Sequence, residues 1–157
     1  MTDQHHKTAN PPVGSDGAES FEAVQRVLRD QDAPIDDRLR AARALRRPPV
    51  HGEQRAAALA LLIDVMGDDD YRLRKETLEA ALAWAEHGDD ADVMAALVAA
   101  LGEEDNVGRR NAAVEAVTRR GAATVPLLLT ALAPRPEYRK VLVDVLGAIG
   151  DGRAASA

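Results

Sequence analysis

The residues best suited to recognition chemistry are basic side chains that recur at a nearly constant spacing. Arg38, Arg74 and Arg110 are separated by 36 residues each, and Arg139 follows 29 residues later. Each begins the same eight-residue pattern of one basic, two variable, two small or apolar, one charged and two apolar residues. A guanidinium can bind a carboxylate or phosphate through paired hydrogen bonds. It can also bind the acidic turn or helix end of a neighbouring segment, and the spacing leaves both alternatives open.

A basic stripe follows if these side chains face outward. Fourteen of the 20 basic residues fall on the four predicted helices that carry the pattern, against eight acidic residues. Such a stripe is suited to an acidic protein surface or to phosphates, whereas helical ion pairs such as Lys75–Glu79 would neutralise it. Charge reversal at Arg74 and Arg110 is expected to remove partner capture without unfolding. The candidate partner-binding residues are Arg43, Arg47, Arg74, Lys75, Arg110 and Arg139.

Other reactive groups form no recognisable catalytic constellation. The sequence contains no cysteine and no phosphate-binding, zinc-protease or serine-hydrolase motif, which excludes thiol chemistry and disulfides. The acidic run Asp68-Asp69-Asp70 could bind a hard cation, but it lacks the spaced ligands of a calcium loop, and helix capping is the favoured interpretation. We therefore predict no catalytic residues, no metal site, no cofactor and no enzymatic activity.

Composition favours a single all-α domain. The chain has 157 residues, of which 46% are apolar and only 3% aromatic, so its core must be built from Ala, Leu and Val, as in packed helices. Residues 1–18 are rich in Pro, Gly and polar residues and are predicted to be a disordered tail. A first helix follows the cap Ser20 and a second starts at Asp36 or Asp37. The others are predicted at Glu53–Met66, Tyr71–Glu86, Ala91–Leu101, Val107–Arg120, Ala123–Ala133 and Glu137–Ile149.

Self-similarity at this period indicates a helical repeat array. The segment Tyr138-Arg139, Leu142-Val143 and Val145-Leu146-Gly147-Ala148-Ile149-Gly150-Asp151 resembles the second-helix pattern of the HEAT-repeat family, in its short bacterial branch related to bilin-lyase repeats. Gly147 has the counterparts Arg46, Leu82 and Thr118, so the other copies are looser. The resemblance implies a right-handed α-α superhelix over 19–157, with repeats at 20–50, 51–88, 89–121 and 122–154. It also implies that the second helices line a concave side.

These features predict a non-catalytic protein-binding scaffold in the cytoplasm of a bacterium. The expected partner is another protein, with an acidic surface. The alternative is nucleic-acid binding through the concave basic stripe, although a net charge of −6 disfavours sequence-blind coating. An accessory enzyme subunit is a third alternative. The longest apolar run, 93–101, is too short to span a membrane. The uncharged helix Ala123–Ala133 suggests self-association through the C-terminal repeat.

Overall fold

The computed structural model describes residues 20–49, 52–86, 91–132 and 138–153. These residues form eight α-helices and one 3-10 helix, and none of them lies in a strand, which confirms the all-α prediction. The helices are α1 Phe21–Arg29, α2 Ile35–Ala44, α3 Gly52–Val65, α4 Tyr71–Ala85, α5 Ala91–Ala100, α6 Val107–Arg120, α7 Val125–Leu132 and α8 Arg139–Ile149. The 3-10 helix covers Gly121–Thr124, directly before α7.

Side-chain caps start several of these helices. The Ser20 hydroxyl accepts from the amide of Ala23, as predicted, and begins α1. The carboxylate of Asp70 and the side-chain oxygen of Asn106 act in the same way for α4 and α6. A side-chain acceptor satisfies one of the amide groups that the first turn of a helix leaves without a partner. Gly150, at φ +68°, ends α8 in the left-handed conformation that glycine tolerates.

Four predicted helix starts differ from the observed ones; α3 begins at Gly52 rather than Glu53, and α8 begins at Arg139 rather than Glu137. The second helix begins at Ile35 rather than at the acidic pair, because the amide of Asp37 already donates to the carbonyl of Pro34 at 2.9 Å. The seventh begins at Val125, two residues later than predicted, because a 3-10 turn precedes it. The amide of Val125 donates to the carbonyl of Ala122, and the Thr124 hydroxyl donates to the carbonyl of Gly121 at 2.8 Å. Pro126 therefore lies in the first turn of α7, where its missing amide costs nothing.

The helices form two rows. The odd-numbered helices α1, α3, α5 and α7 each pack against the next odd helix, and the even-numbered helices do the same. Each odd helix also packs against the even helix that follows it. Leucine, alanine and valine side chains from both rows share one continuous core, whose small alanines, such as Ala42, Ala81 and Ala113, let the helices approach closely.

Several predictions concern residues outside the described ranges. These are the disordered tail over 1–18 and the end of the fourth helix near His87 and Gly88. The predicted end of the seventh helix at Ala133 and the predicted start of the eighth at Glu137 also lie outside them. Within the described ranges, no helix combines the length and apolar character needed to cross a membrane.

Candidate functional site

Arg38, the first basic residue of the repeated pattern, is buried and links α2 to α1 and to the turn between α3 and α4. Its Nη2 atom donates to the carbonyl oxygen of Leu28 at the end of α1, at 3.1 Å. The same atom lies 2.5 Å from Oδ2 of Asp68, in the turn between α3 and α4. Charge-assisted hydrogen bonds of this kind are stronger than neutral ones. Arg38 therefore ties α1 and α2 to the acidic turn between α3 and α4.

Arg74 and Arg110 bind the turns that precede their own helices. Arg74 Nη1 donates to the carbonyl oxygens of Asp68 and Asp69, at 2.7 and 2.9 Å. Arg110 Nη1 donates to the carbonyl oxygen of Glu103 at 3.4 Å. These bonds match the alternative in which the recurring arginines bind acidic turns. Reversing either charge would remove these hydrogen bonds from the turn, and the expectation that both reversals leave folding intact stays a prediction.

Ion pairs cross from one even helix to the next. Arg43 of α2 lies 3.2 Å from Glu76 of α4. Between α4 and α6, Lys75 Nζ lies 2.6 Å from Oε1 of Glu115, and Arg119 Nη1 lies 2.6 Å from Oε1 of Glu79.

The expected intrahelical pair Lys75–Glu79 is thus replaced by pairs between helices. The hydrogen bond from Arg119 lowers the pKa of Glu79, and the hydrogen bond to Glu115 raises the pKa of Lys75. Both groups are held in their charged forms. The ion pairs bridge α4 and α6 at the surface.

Arg47 and Arg139 complete the six candidate residues. Both are exposed, and neither side chain forms a hydrogen bond or ion pair with any part of the chain that the structure describes. Arg47 follows α2 and Arg139 begins α8, with α4 and α6 between those two helices. Among the described residues, the two candidates without side-chain partners thus lie at opposite ends of the even row, and the other four make intramolecular contacts.

A groove of about 220 Å³ lies between α4 and α6 on the even-helix side. Arg74, Lys75 and Glu115 are among its lining residues, so two of the six candidates meet here. The side chain of Tyr71 lies at the edge of the groove and is 65% exposed. The guanidinium carbon of Arg74 lies 5.8 Å from the centroid of the Tyr71 ring, within cation–π range.

Sequence reasoning used Tyr71 only to mark a helix start and did not identify it as a site residue. A signal was present, because Ile35, Tyr71 and Val107 are 36 residues apart and each begins an even helix. Their exposure is not equal: Ile35 packs against the core, while Tyr71 and Val107 are exposed. The difference in exposure depends on which helices pack beside each residue, and the 36-residue spacing does not reveal that packing.

Trp84 is buried in the core. Its Nε1 atom donates to the carbonyl oxygen of Leu45 at 2.5 Å, and the guanidinium of Arg55 lies 5.1 Å from the ring centroid. Arg55 in turn makes two hydrogen bonds with Asp92, at 3.0 and 3.1 Å. The indole thus links α4 to Leu45 after α2 and to Arg55 of α3, and its burial leaves it unavailable to a ligand.

The acidic run before α4 serves as a cap. Oδ1 of Asp70 accepts from the amide of Arg72 at 2.8 Å, and Oδ1 of Asp68 accepts from the amide of Asp70 at 2.9 Å. The Arg72 side chain holds the pKa of Asp70 at about 2. No group of three acidic or histidine side chains able to hold a metal ion occurs among the described residues.

No protein-family model matches the chain, and no curated protein matches its sequence. The class that the fold and site define is an all-helical protein with a mixed polar and aromatic groove between two even-numbered helices.

Proposed function

We propose that the chain is a non-catalytic protein-interaction scaffold that docks an acidic segment of another protein on its even helices. In this proposal the four helix pairs form a right-handed superhelix of HEAT-like repeats, and the protein acts in the cytoplasm. The two rows of helices, each packed on the next, support the repeat arrangement. Because fold alone does not define function, the docking proposal depends on the groove between α4 and α6.

The exposed ring of Tyr71 carries the proposal. Tyrosine is over-represented among residues that dominate binding energy, because it offers a large rigid ring and a polar hydroxyl. Here the ring is 65% exposed beside Arg74 and Lys75. Intramolecular bonds hold both cations in place, so little side-chain entropy remains to be lost when a partner binds. The groove is therefore preorganised for an apolar group flanked by carboxylates.

The charge distribution favours an acidic partner. Helices α2, α4, α6 and α8 carry twelve basic and six acidic residues, while the chain as a whole has a net charge of −6. The even row is therefore positive within a negative protein. Such a field steers acidic partners towards one surface and repels them from the others.

Partner capture from a nuclease-treated lysate tests the proposal. Wild-type protein is compared with Tyr71→Ala and Lys75→Glu, and Lys140→Glu serves as the matched control. Lys140 is also a paired lysine on an even helix, bonded to Asp144 at 2.8 Å, but it lies outside the groove.

We expect one stoichiometric protein to be retained by wild type and Lys140→Glu and lost from both groove variants. Equal retention by all four proteins would reject the groove as the docking site. Capture that disappears after nuclease treatment would instead identify nucleic acid as the partner.

A further inference from the structure

Arg74 uses only part of its guanidinium to hold the turn before α4. Both of its hydrogen bonds, to the carbonyl oxygens of Asp68 and Asp69, come from Nη1. Its Nε and Nη2 atoms donate to no group in the part of the chain that the structure describes, and neither of them is buried. The Nε–Nη2 edge is therefore accessible to solvent. Arginine binds a carboxylate through two parallel hydrogen bonds from an edge of this kind.

Gly108 leaves room for a ligand at this edge. A Cβ atom at residue 108 would lie 3.2 Å from Cδ and 3.7 Å from Nε of Arg74. A side chain at this position would therefore crowd the guanidinium and narrow the approach to it. Gly108 and Arg74 both line the groove between α4 and α6, so the accessible edge belongs to the groove.

The groove carries one positive charge that no carboxylate balances. Among its lining residues, Lys75 pairs with Glu115 at 2.6 Å. Arg74 makes no ion pair with an acidic side chain of the described ranges, because its acceptors are carbonyl oxygens. Two cations and one anion thus line the groove and give it a net charge of +1. One carboxylate would balance this charge, whereas a phosphomonoester, at about −1.5 to −2, would exceed it.

Tyr71 restrains the same guanidinium from one face. Its ring centroid lies 5.8 Å from Cζ of Arg74, and this cation–π contact acts together with the two bonds from Nη1. The Nε–Nη2 edge is thus held in place before a partner binds, which lowers the entropy lost on binding. Because the ring is 65% exposed, it also offers an apolar surface beside the accessible edge.

We propose that Arg74 binds one carboxylate side chain of the partner through its Nε–Nη2 edge, while a neighbouring apolar residue of the partner packs on Tyr71. This inference rests on the proposed docking function and gives it a chemical specificity, an aspartate or glutamate beside an apolar residue. Lys75 has no planar edge of paired donors and is already bonded to Glu115, so it does not distinguish a carboxylate from an amide.

Two capped dipeptides test the proposal with the intact chain. Acetyl-Phe-Asp-amide offers a side-chain carboxylate beside an aromatic ring, and acetyl-Phe-Asn-amide replaces that carboxylate with a neutral amide of similar shape. NMR follows the Nε–H signal of Arg74 and the methyl signals of Leu78 and Ala112, which also line the groove. We expect the aspartate peptide to shift all three saturably and to bind about tenfold more tightly than the asparagine peptide, because hydrogen bonds to charged groups are stronger.

Two variants separate the paired donors from the charge. Arg74→Lys keeps the charge but loses the planar edge, so it should bind the aspartate peptide no more tightly than the asparagine peptide. Gly108→Ala should also weaken binding, because the added Cβ crowds the Arg74 side chain. Arg40→Lys is the control for the first, since Arg40 is an exposed arginine of α2 paired with Asp37. Gly147→Ala is the control for the second, because its Cβ would meet nothing within 4 Å.

An unmoved Arg74 signal, or equal affinity of wild type for the two peptides, would overturn the proposal. Wild-type affinity in Arg74→Lys would do the same, and if that variant does not fold by circular dichroism, Gly108→Ala decides alone. Lysate capture separates this inference from the docking proposal. Full capture by Arg74→Lys, with loss from Tyr71→Ala, would reject only the role of Arg74, whereas equal capture by every groove variant would reject docking at the groove.

Discussion

Arg38 and Asp68 form an ion pair that is almost completely buried, with Nη2 2.5 Å from Oδ2 across 30 positions of sequence. The other carboxylate oxygen of Asp68 accepts from the amide of Asp70, and Asp70 caps the helix that begins with Tyr71. The contact between Arg38 of α2 and Asp68 thus helps to position the exposed ring of Tyr71 at the groove between α4 and α6. Arg38 therefore supports the candidate site structurally and does not line the groove itself.

Removal of this arginine should destabilise the protein strongly. Arg38→Met leaves the Asp68 carboxylate and the Leu28 carbonyl without their shared donor, and breaking a buried pair in this way typically costs about 3–5 kcal/mol. Arg40→Met is the control, because Arg40 is exposed and pairs with Asp37 only at the surface, where such pairs contribute about 0–1 kcal/mol. Urea unfolding at neutral pH measures both. Similar losses in the two variants would contradict the role assigned to Arg38.

Stability should fall in acid partly because of Asp70. Its pKa is lowered from 3.8 to about 2 by the Arg72 side chain, so in the folded protein the carboxylate stays ionised to lower pH than in the unfolded chain. Stabilisation from this group is present above about pH 4 and is lost as pH falls through about 2. Asp70→Asn should make the fall shallower, while asparagine still caps the helix.

Urea unfolding between pH 5 and pH 2 measures this effect. Arg72→Gln removes the partner that lowers the pKa of Asp70, and it should flatten the same part of the curve. An identical slope in wild type and both variants would show that Asp70 does not contribute to the acid sensitivity.

The contact between Gly102 and Tyr138 should be intolerant of a methyl group. Gly102→Ala places a Cβ atom 2.2 Å from the Tyr138 ring, and overpacking of this kind costs about 1–3 kcal/mol. In a Tyr138→Ala background the cost should largely disappear, which a double-mutant cycle measures directly. Strict additivity would rule out the contact. Gly147→Ala is the control, because its Cβ would meet nothing within 4 Å, and it should stabilise α8 by about 0.5–1 kcal/mol.

Lys75→Glu should weaken partner binding with little effect on folding. Lys75 is partly exposed and loses only a surface ion pair with Glu115, worth about 0–1 kcal/mol. The reversal places a carboxylate beside Tyr71, where it would repel an acidic partner. Affinity is measured by calorimetry with the captured protein, and unfolding is measured in parallel. Lys140→Glu should change neither quantity appreciably, and an equal loss of affinity in both variants would point to net charge rather than to the groove.

Local patterns predicted much of the fold. Apolar periodicity and cap residues placed α1, α4 and α6 at or next to their observed starts, because these signals act within one or two turns. The 36-residue spacing of Arg38, Arg74 and Arg110 left open whether these arginines bind a partner or an acidic turn, and the structure shows that all three bind acidic turns. The start of α7 was predicted two residues too early. The Thr124 hydroxyl donates to the carbonyl of Gly121, three residues earlier in the chain. Hydrophobic periodicity does not reveal such local side-chain to backbone hydrogen bonds.

The candidate site was less predictable than the helices. Lys75 bonds Glu115, which is 40 residues away, whereas the helical spacing rule offered Glu79 as its nearest partner. The exposure of Tyr71 and the contact between Tyr138 and Gly102 depend on which helices lie next to each other. Such contacts between distant segments require the packed arrangement of both rows, and composition and spacing do not specify them.

Site-specific photocrosslinking is the most direct measurement of partner docking at the groove. A benzophenone amino acid replaces Tyr71 in one protein and Val143 in a control, since both residues are exposed on even helices but only position 71 lies in the groove. Irradiation in nuclease-treated lysate should give one covalent protein adduct from position 71 and little or none from position 143. The same adducts from both positions, or none from position 71, would contradict docking at the groove.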